Sequence, residues 1–205
     1  FEQRIGHLDA HEKGRKRFAL VITSVLLDAG AGPDWRYREG RATYTRSEGL
    51  AVASYHMFTD GAFSAMEADL LRADADELVD MDDELAAGFQ VTGDNPLVGL
   101  EGRSELMRLL GAAIVAHPEI FGEEGRLGGL FDHLMAQAKG EQLPAPTVLD
   151  AVLEGLGDVW PGRLERDGLS LGDTWPHPAA GATDDNEDTR GLVPFHKLSQ
   201  WLTYS

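Results

Sequence analysis

A mainly α fold is what the sequence predicts: one helical domain over residues 1–205, joined by irregular or short β connections. Three observations carry this. Apolar residues recur at helical spacing through most of the chain, no continuous β–α–β pattern appears, and 205 residues suffice for a domain with its own core.

In residues 14–28, Phe18, Val21, Ile22, Val25 and Leu26 follow the spacing of a helix with one buried face, and Gly30, Gly32 and Pro33 end it. The stretch W-R-Y-R-E-G-R-A-T-Y-T, 35–45, alternates aromatic and polar residues around a glycine and reads as an extended or hairpin-like connection. A second helix over about 45–58 turns Leu50, Ala53, Met57 and Phe58 inward. Asp74 with Glu77 forms a capping pair for a third, in which Leu78, Met81, Leu85 and Phe89 keep helical spacing. G-D-N-P at 93–96 is a turn. Further helices are predicted at about 102–116, 128–139, 146–156 and from 195 onward, with Pro146 in a first-turn position. The polar tract 179–191 reads as a solvated loop and is the candidate for mobility. G-D-V-W-P at 157–161 and G-D-T-W-P at 172–176 echo each other; too short for a repeat architecture, they suggest rigid aromatic walls. The expected core gathers Val21, Val25, Leu26, Leu50, Phe58, Leu85, Leu109, Leu149 and Trp201.

The net charge of −17, from 35 acidic and 18 basic residues, repels phosphate backbones, so no nucleic-acid partner is expected. No apolar run reaches the roughly 18–20 residues that span a bilayer, so no membrane partner is expected either. The opening F-E-Q-R-I-G-H lacks the basic cap and apolar core of a signal peptide, and cysteine is absent. The expected address is the cytoplasm, and thiol nucleophiles and thiolate metal sites are excluded. The first residue is not Met and L-S-Q-W-L-T-Y-S stops within an amphipathic pattern, so these residues are expected to form the central part of a longer chain.

Strong catalytic signatures are absent from the sequence: no phosphate loop, no dinucleotide fingerprint, no nucleophile elbow. His7 and His11 could share a helix face, but the Glu of H-E-x-x-H is missing; surface histidines are the expectation, with no metal and no cofactor. The candidates are polar residues among small ones. Asp28 closes an apolar helical run, where its charge opposes the helix dipole at a cost of roughly 0.3–1 kcal/mol, and A-G-A-G follows it. Such small residues admit a ligand or a second backbone; alternatively an Arg or a backbone N–H holds the carboxylate. In T-R-S-E-G-L, 45–50, capping accounts for Ser47 and Glu48 but leaves Arg46, a cation at the wrong end of a helix, as a candidate for an anionic ligand. In N-P-L-V-G-L-E-G-R, 95–103, Glu101 and Arg103 bracket a glycine and fit a structural turn or a site equally. Asp173 and Trp175 lie in a Gly/Pro-rich loop. In the closing P-F-H-K-L-S-Q-W-L, His196 and Gln200 share one helix face, and Lys197 and Trp201 another.

Taken in order, S-V-L-L-D-A-G-A-G, W-x-Y, R-S-E-G-L-A-V-A-S with F-x-x-G-x-F-S, N-P-L-V-G-L-E-G-R, G-D-x-W and P-F-H-K-L-S-Q-W-L-T-Y-S resemble the uracil catabolism protein 4 family, also known as domain of unknown function 1688. The resemblance runs from about residue 20 to the end. It implies a place in a fungal and bacterial route that opens the uracil ring at the nucleoside or nucleotide level and releases urea. The order of helices, G-G-L-F, G-D-x-W and the closing F-x-K-x-x-Q are also similar to the queuosine-salvage nucleoside hydrolases, which implies a DNA-glycosylase-like helical fold and cleavage of an N-glycosidic bond. The aspartate of that family's final motif has no counterpart in P-F-H-K-L-S-Q.

Together these resemblances imply hydrolysis of a ribosylurea-type intermediate, with or without a 5′-phosphate. Asp173 would stabilise an oxocarbenium-like transition state, His196 would protonate the leaving nitrogen, and Trp175 would exclude water. Asp28 or Glu48 would hold ribose hydroxyls, while Arg46, Arg103 and Lys197 would receive phosphate or polarise the urea carbonyl. Trp35, Glu101 and Gln200, from the same motifs, complete the substrate contacts. The partner expected is a small molecule, a ribose-linked urea or nucleoside derivative; nothing in the sequence specifies an oligomeric state. The rival reading is a non-catalytic binding or scaffold subunit. A phosphoribosyl transferase is disfavoured, since no acidic pair is flanked by a Thr/Gly-rich phosphate loop.

Overall fold

Asp9 starts the longest helix by accepting a hydrogen bond from the Glu12 N–H at 2.9 Å, and this cap places the helix start four residues earlier than the apolar spacing alone implied. The structure is a computed structural model describing residues 1–28, 30–140, 142–160, 164–172, 174–180, 190–194, 198 and 202–203. A short α1 (Glu2–Ile5) precedes this capped helix, α2 (Ala10–Leu27). The aromatic stretch forms an antiparallel hairpin, β1 (Tyr37–Glu39) and β2 (Ala42–Tyr44), with Tyr37 opposite Tyr44. Its two-residue loop begins at Gly40, whose φ of +58° suits such a turn. α3 (Arg46–Asp60) then ends at Gly61, which donates its N–H to the Met57 and Phe58 carbonyls.

The single helix expected after Asp74 is instead two short ones, α4 (Ala75–Leu78) and α5 (Asp82–Gly88). The capping pair does not form, because the Asp74 carboxylate is held by the Arg72 guanidinium and the Ala65 N–H. α6 (Leu100–Ala116), α7 (Pro118–Phe121), α8 (Gly129–Gln137) and α9 (Ala145–Leu156) follow. Pro146 lies in the first turn of α9, as expected. Among the described residues strands form only two-stranded antiparallel ribbons: β1–β2, β3 (Glu165–Arg166) with β4 (Leu169–Ser170), and β5 (Thr174–Pro176) with β6 (Leu192–Pro194). The architecture is mainly α. The two Trp-Pro echoes take different forms, a 3-10 turn at Gly157–Val159 and a strand at Thr174–Pro176.

α2 is the hub, packing against α3, α6 and α8, while α6 also carries α4, α5 and α9. Contact between α2 and α8 is close enough that a methyl on Gly14 would lie 2.3 Å from the Phe131 ring. At Gly129 it would lie 2.1 Å from the Phe121 carbonyl oxygen, which accounts for both small residues. One buried cluster joins Ile5 to Leu202. Leu26, Leu50, Phe58 and Leu85 lie within it, and Val21, Val25 and Leu109 pack half-buried against it. Leu149 is half-buried, and Val148, Ala151, Val152 and Leu156 form the buried face of α9. Trp201 and most of the 179–191 tract lie outside the described residues. Among those residues no helix is long and apolar enough to cross a membrane.

Charged side chains tie the first turns of α2 to the rest of the molecule. Glu12 accepts from Arg126, from Arg15 at 3.1 Å and from Lys16 at 3.2 Å. Lys16, almost wholly buried, also reaches Asp69 at 2.5 Å and the Leu71 carbonyl at 3.3 Å, while Arg15 bonds Asp132 of α8 at 2.7 Å. Burial by itself raises Glu12, but the bonds to Arg126, Arg15 and Lys16 outweigh it and lower the carboxyl from its ordinary 4.5 to about 2. The unfolded chain therefore takes up this proton first as pH falls. The stability due to Glu12 is complete above about pH 5 and is lost progressively as pH drops towards 2. Denaturant titrations from pH 7 to pH 2 should show the parent losing more stability than Glu12→Gln over that window, and parallel curves for the two would contradict the assignment.

Candidate functional site

The sequence's anomaly, a carboxylate closing α2 before a run of small residues, is resolved around the guanidinium of Arg103. A helix ends with unpaired carbonyls, and an acid there adds to the unfavourable field. Arg103, on the first turn of α6, donates from Nε to the Leu27 carbonyl at 2.9 Å, from Nη1 to Val98 at 2.6 Å and from Nη2 to Gly30 at 3.3 Å. It is 4% exposed and lies over the Phe89 ring at 5.8 Å. Burial pushes this guanidinium below its ordinary pKa, and the charge of Asp28 acts in the opposite sense.

Close approach explains the glycines. The Val98 N–H bonds the Ala31 carbonyl at 3.2 Å, and a methyl on Gly32 would lie 2.6 Å from Val98 Cγ2, at a φ of +82° that disfavours side chains in any case. Phe89 is also the partner of Trp35, which is wholly buried, donates its indole N–H to the Phe89 carbonyl at 2.8 Å and meets the ring edge-on at 6.1 Å. A methyl on Gly49 of α3 would lie 2.8 Å from the Trp35 ring. Asn95 fixes the remaining strand of the cluster: its side chain pairs with both backbone groups of Arg36 at 2.9 Å and donates to the Gln90 carbonyl at 2.8 Å. Four motifs far apart in the chain therefore converge on Trp35, Phe89 and Arg103.

This convergence sorts the candidates. Trp35, expected to touch substrate, belongs to the core, because its ring is covered by α3 and its only polar atom is bonded internally. Arg103 holds the backbone together. Asp28 is half-buried beside Arg103. Arg46, with φ +55°, and Glu48 are exposed on the first turn of α3, and Glu101 is exposed on the first turn of α6. Trp175, 40% exposed, sits on β5 opposite Val193, in a hairpin whose leading Gly172 abuts Leu153 of α9. Asp173, His196, Lys197 and Gln200 lie outside the described residues.

Sequence reasoning missed two cavities lined by buried ions. One, of about 700 Å³, lies between the 65–76 segment, the end of α6 and the loop after α7, with the Arg72–Asp74 ion pair at its floor. The other, of about 450 Å³, is lined by Arg4, Glu12, Lys16 and Asp69. The only signal was an Arg and an Asp set among leucines and alanines in L-L-R-A-D-A, just after F-x-x-G-x-F-S. Among the described residues no group of three or more His, Asp or Glu is arranged to hold a metal ion.

Replacing Arg103 by Met keeps the length of the side chain but removes the bonds it donates to the Leu27, Val98 and Gly30 carbonyls. Urea denaturation should register a loss of at least about 1.5–3 kcal/mol, the range for a charge-assisted hydrogen bond. Arg103→Lys should recover only part of it, since one ammonium cannot reach all three acceptors. Full stability in Arg103→Lys would return Arg103 to the list of substrate contacts.

A family model described as "Protein of unknown function (DUF1688)" matches residues 1–205. "Uracil catabolism protein 4" of Lachancea kluyveri is 42% identical over 208 residues, covering 97% of this chain and 47% of its own length. "Protein urg3" of Schizosaccharomyces pombe is 38% identical over 203 residues, covering 97% of this chain and 46% of its own. The chain thus spans about half the length of the curated relatives it matches. With a match along its whole length and two such relatives, this chain belongs to the DUF1688 family.

Proposed function

We propose that the protein acts in uracil catabolism and hydrolyses the C1′–N bond of a ribosylurea-type intermediate, releasing urea. The observation that carries the pathway is 42% identity, over 97% of the chain, to a protein named for uracil catabolism. A DNA-glycosylase-like arrangement, as in the queuosine-salvage nucleoside hydrolases, and a cytoplasmic address belong to the same proposal. The predominance of helices supports the first.

In the reaction, water supplies the oxygen that bonds C1′ as the C1′–N bond breaks, and its proton ends on urea, so ribosylurea and water give ribose and urea. Positive charge develops on C1′ and O4′, and a carboxylate beside them lowers the barrier. Asp173 is assigned that role from the sequence, His196 that of proton donor to the departing nitrogen, and Trp175 that of a wall against bulk water. Trp175 is 40% exposed, whereas Arg103 and Trp35 are buried in the core.

Incubation of the full-length protein with synthetic ribosylurea and its 5′-phosphate, followed by urea detection, tests the reaction. Asp173→Asn keeps the shape and removes the charge, so turnover should fall by about 10²–10³, the usual loss when one electrostatic stabiliser is removed. Ground-state binding should weaken far less. Urea release within about threefold of the parent would remove Asp173 from the mechanism. Saturable binding with no urea from either compound would identify a non-catalytic binding subunit.

A further inference from the structure

The guanidinium of Arg72 is the one buried cation whose hydrogen bonding, among the described residues, depends on a sulfur atom. It is 7% exposed at the floor of the 700 Å³ cavity. Nε donates to the two Asp74 oxygens at 2.7 and 2.9 Å, and Nη2 lies 2.5 Å from Asp74 Oδ1. Nη1 donates to the Met66 thioether at 3.0 Å. A thioether is a weak acceptor, so this N–H gains when an oxygen replaces the sulfur. The pair is already positioned for such an exchange. Asp74 also accepts from the Ala65 N–H at 2.9 Å, and its own segment is bonded to 125–127 through Ala75 to Gly125 and Leu127 to Ala73. In the smaller cavity, by contrast, the Lys16 ammonium has Asp69, Glu12 and the Leu71 carbonyl, one acceptor for each of its protons.

We infer that this cavity binds a neutral carbonyl compound rich in hydrogen-bond donors, of the ureido class, with its carbonyl on Arg72 Nη1. Arg72 Nη1 offers the donor at the floor and the rim carboxylates offer acceptors, and a ureido head presents the matching carbonyl and N–H groups. The charge of Arg72 is balanced by Asp74, while Asp76, Glu123 and Glu124 stand exposed around the opening. Those carboxylates accept from hydroxyl and amide groups and repel phosphate. Ile114 and Val115 supply an apolar wall, and the volume falls within the range of about 300–1,000 Å³ common for small-molecule sites. The donor, the acceptors and the sign of the field come from the geometry; the choice of ureides as natural occupants rests on the ribosylurea reading above.

The test titrates the full-length protein with ribosylurea, its 5′-phosphate and a simple alkylamine, following amide resonances of residues 65–76 and 114–125. Ribosylurea should give saturable shifts there, and its 5′-phosphate should bind about tenfold more weakly or worse. Val115 is 64% exposed, so Val115→Trp fills the cavity without disturbing the core, and it should abolish the shifts. Glu123→Gln with Glu124→Gln, both on the surface, should narrow the gap between the two compounds, which a merely structural role would not do. Shifts confined to other residues, equal affinities unaffected by the double variant, or saturation by a simple alkylamine instead would each overturn the inference. Urea release from ribosylurea with no saturable shifts at residues 65–76 and 114–125 would remove the cavity and leave the hydrolase reading standing. Cavity binding with no urea from either ureide would remove the hydrolase reading and leave the cavity.

Discussion

The hydrogen bonds from Arg103 to the end of α2 are the constraint on which the remaining architecture depends. α2 carries α3, α6 and α8 against its sides, and its last turn would otherwise present bare carbonyls and the charge of Asp28 to a largely apolar interior. Burying a cation is costly, and three carbonyl acceptors, the Phe89 ring and the nearby Asp28 charge together offset the loss of water. Because Arg103 contacts a carbonyl 76 residues away, the same bonds set where α6 begins relative to α2.

At its opposite end α2 is held by charges of the reverse sign. Glu12 gathers Arg15, Lys16 and Arg126, and through them the 69–71 segment, residue 126 and α8 are referenced to one turn. Links of this kind contribute less to net stability than apolar burial does. Their effect is directional: a shift of α8 by one residue would break the Arg15–Asp132 pair as well as drive Phe131 into α2. Gly14 against Phe131 and Gly128 against Arg15 set the separation, and the Arg15–Asp132 ion pair sets the register.

For function, the consequence is a division of labour within the family motifs. Residues that look reactive in a linear reading, Arg103 and Trp35 above all, are used to join segments, and they free the chain ends they hold to present exposed groups. Arg46, Glu48 and Glu101 stand on helix starts buttressed by this buried cluster. The Arg72–Asp74 pair is different, being buried yet facing open volume through a weak sulfur contact.

Sequence periodicity by itself determined the helical class and the course of α2, α3, α6, α8 and α9, since 3.6-residue spacing is a local property; over 35–45 it left an extended and a hairpin-like connection open, and the structure has the hairpin. It also identified Asp28 as needing a partner and left open whether that partner was a ligand or an arginine. Only the tertiary structure decided for Arg103, because the three carbonyls it binds become neighbours of α6 after the chain has folded back. Likewise Asp74 reads locally as a helix cap, and it lost that role to a buried arginine and to the Ala65 N–H, whose competing bonds no local pattern records. The cavity above that pair was invisible for the same reason: it is space enclosed by α6, the loop after α7 and the 65–76 segment, and space has no residue of its own.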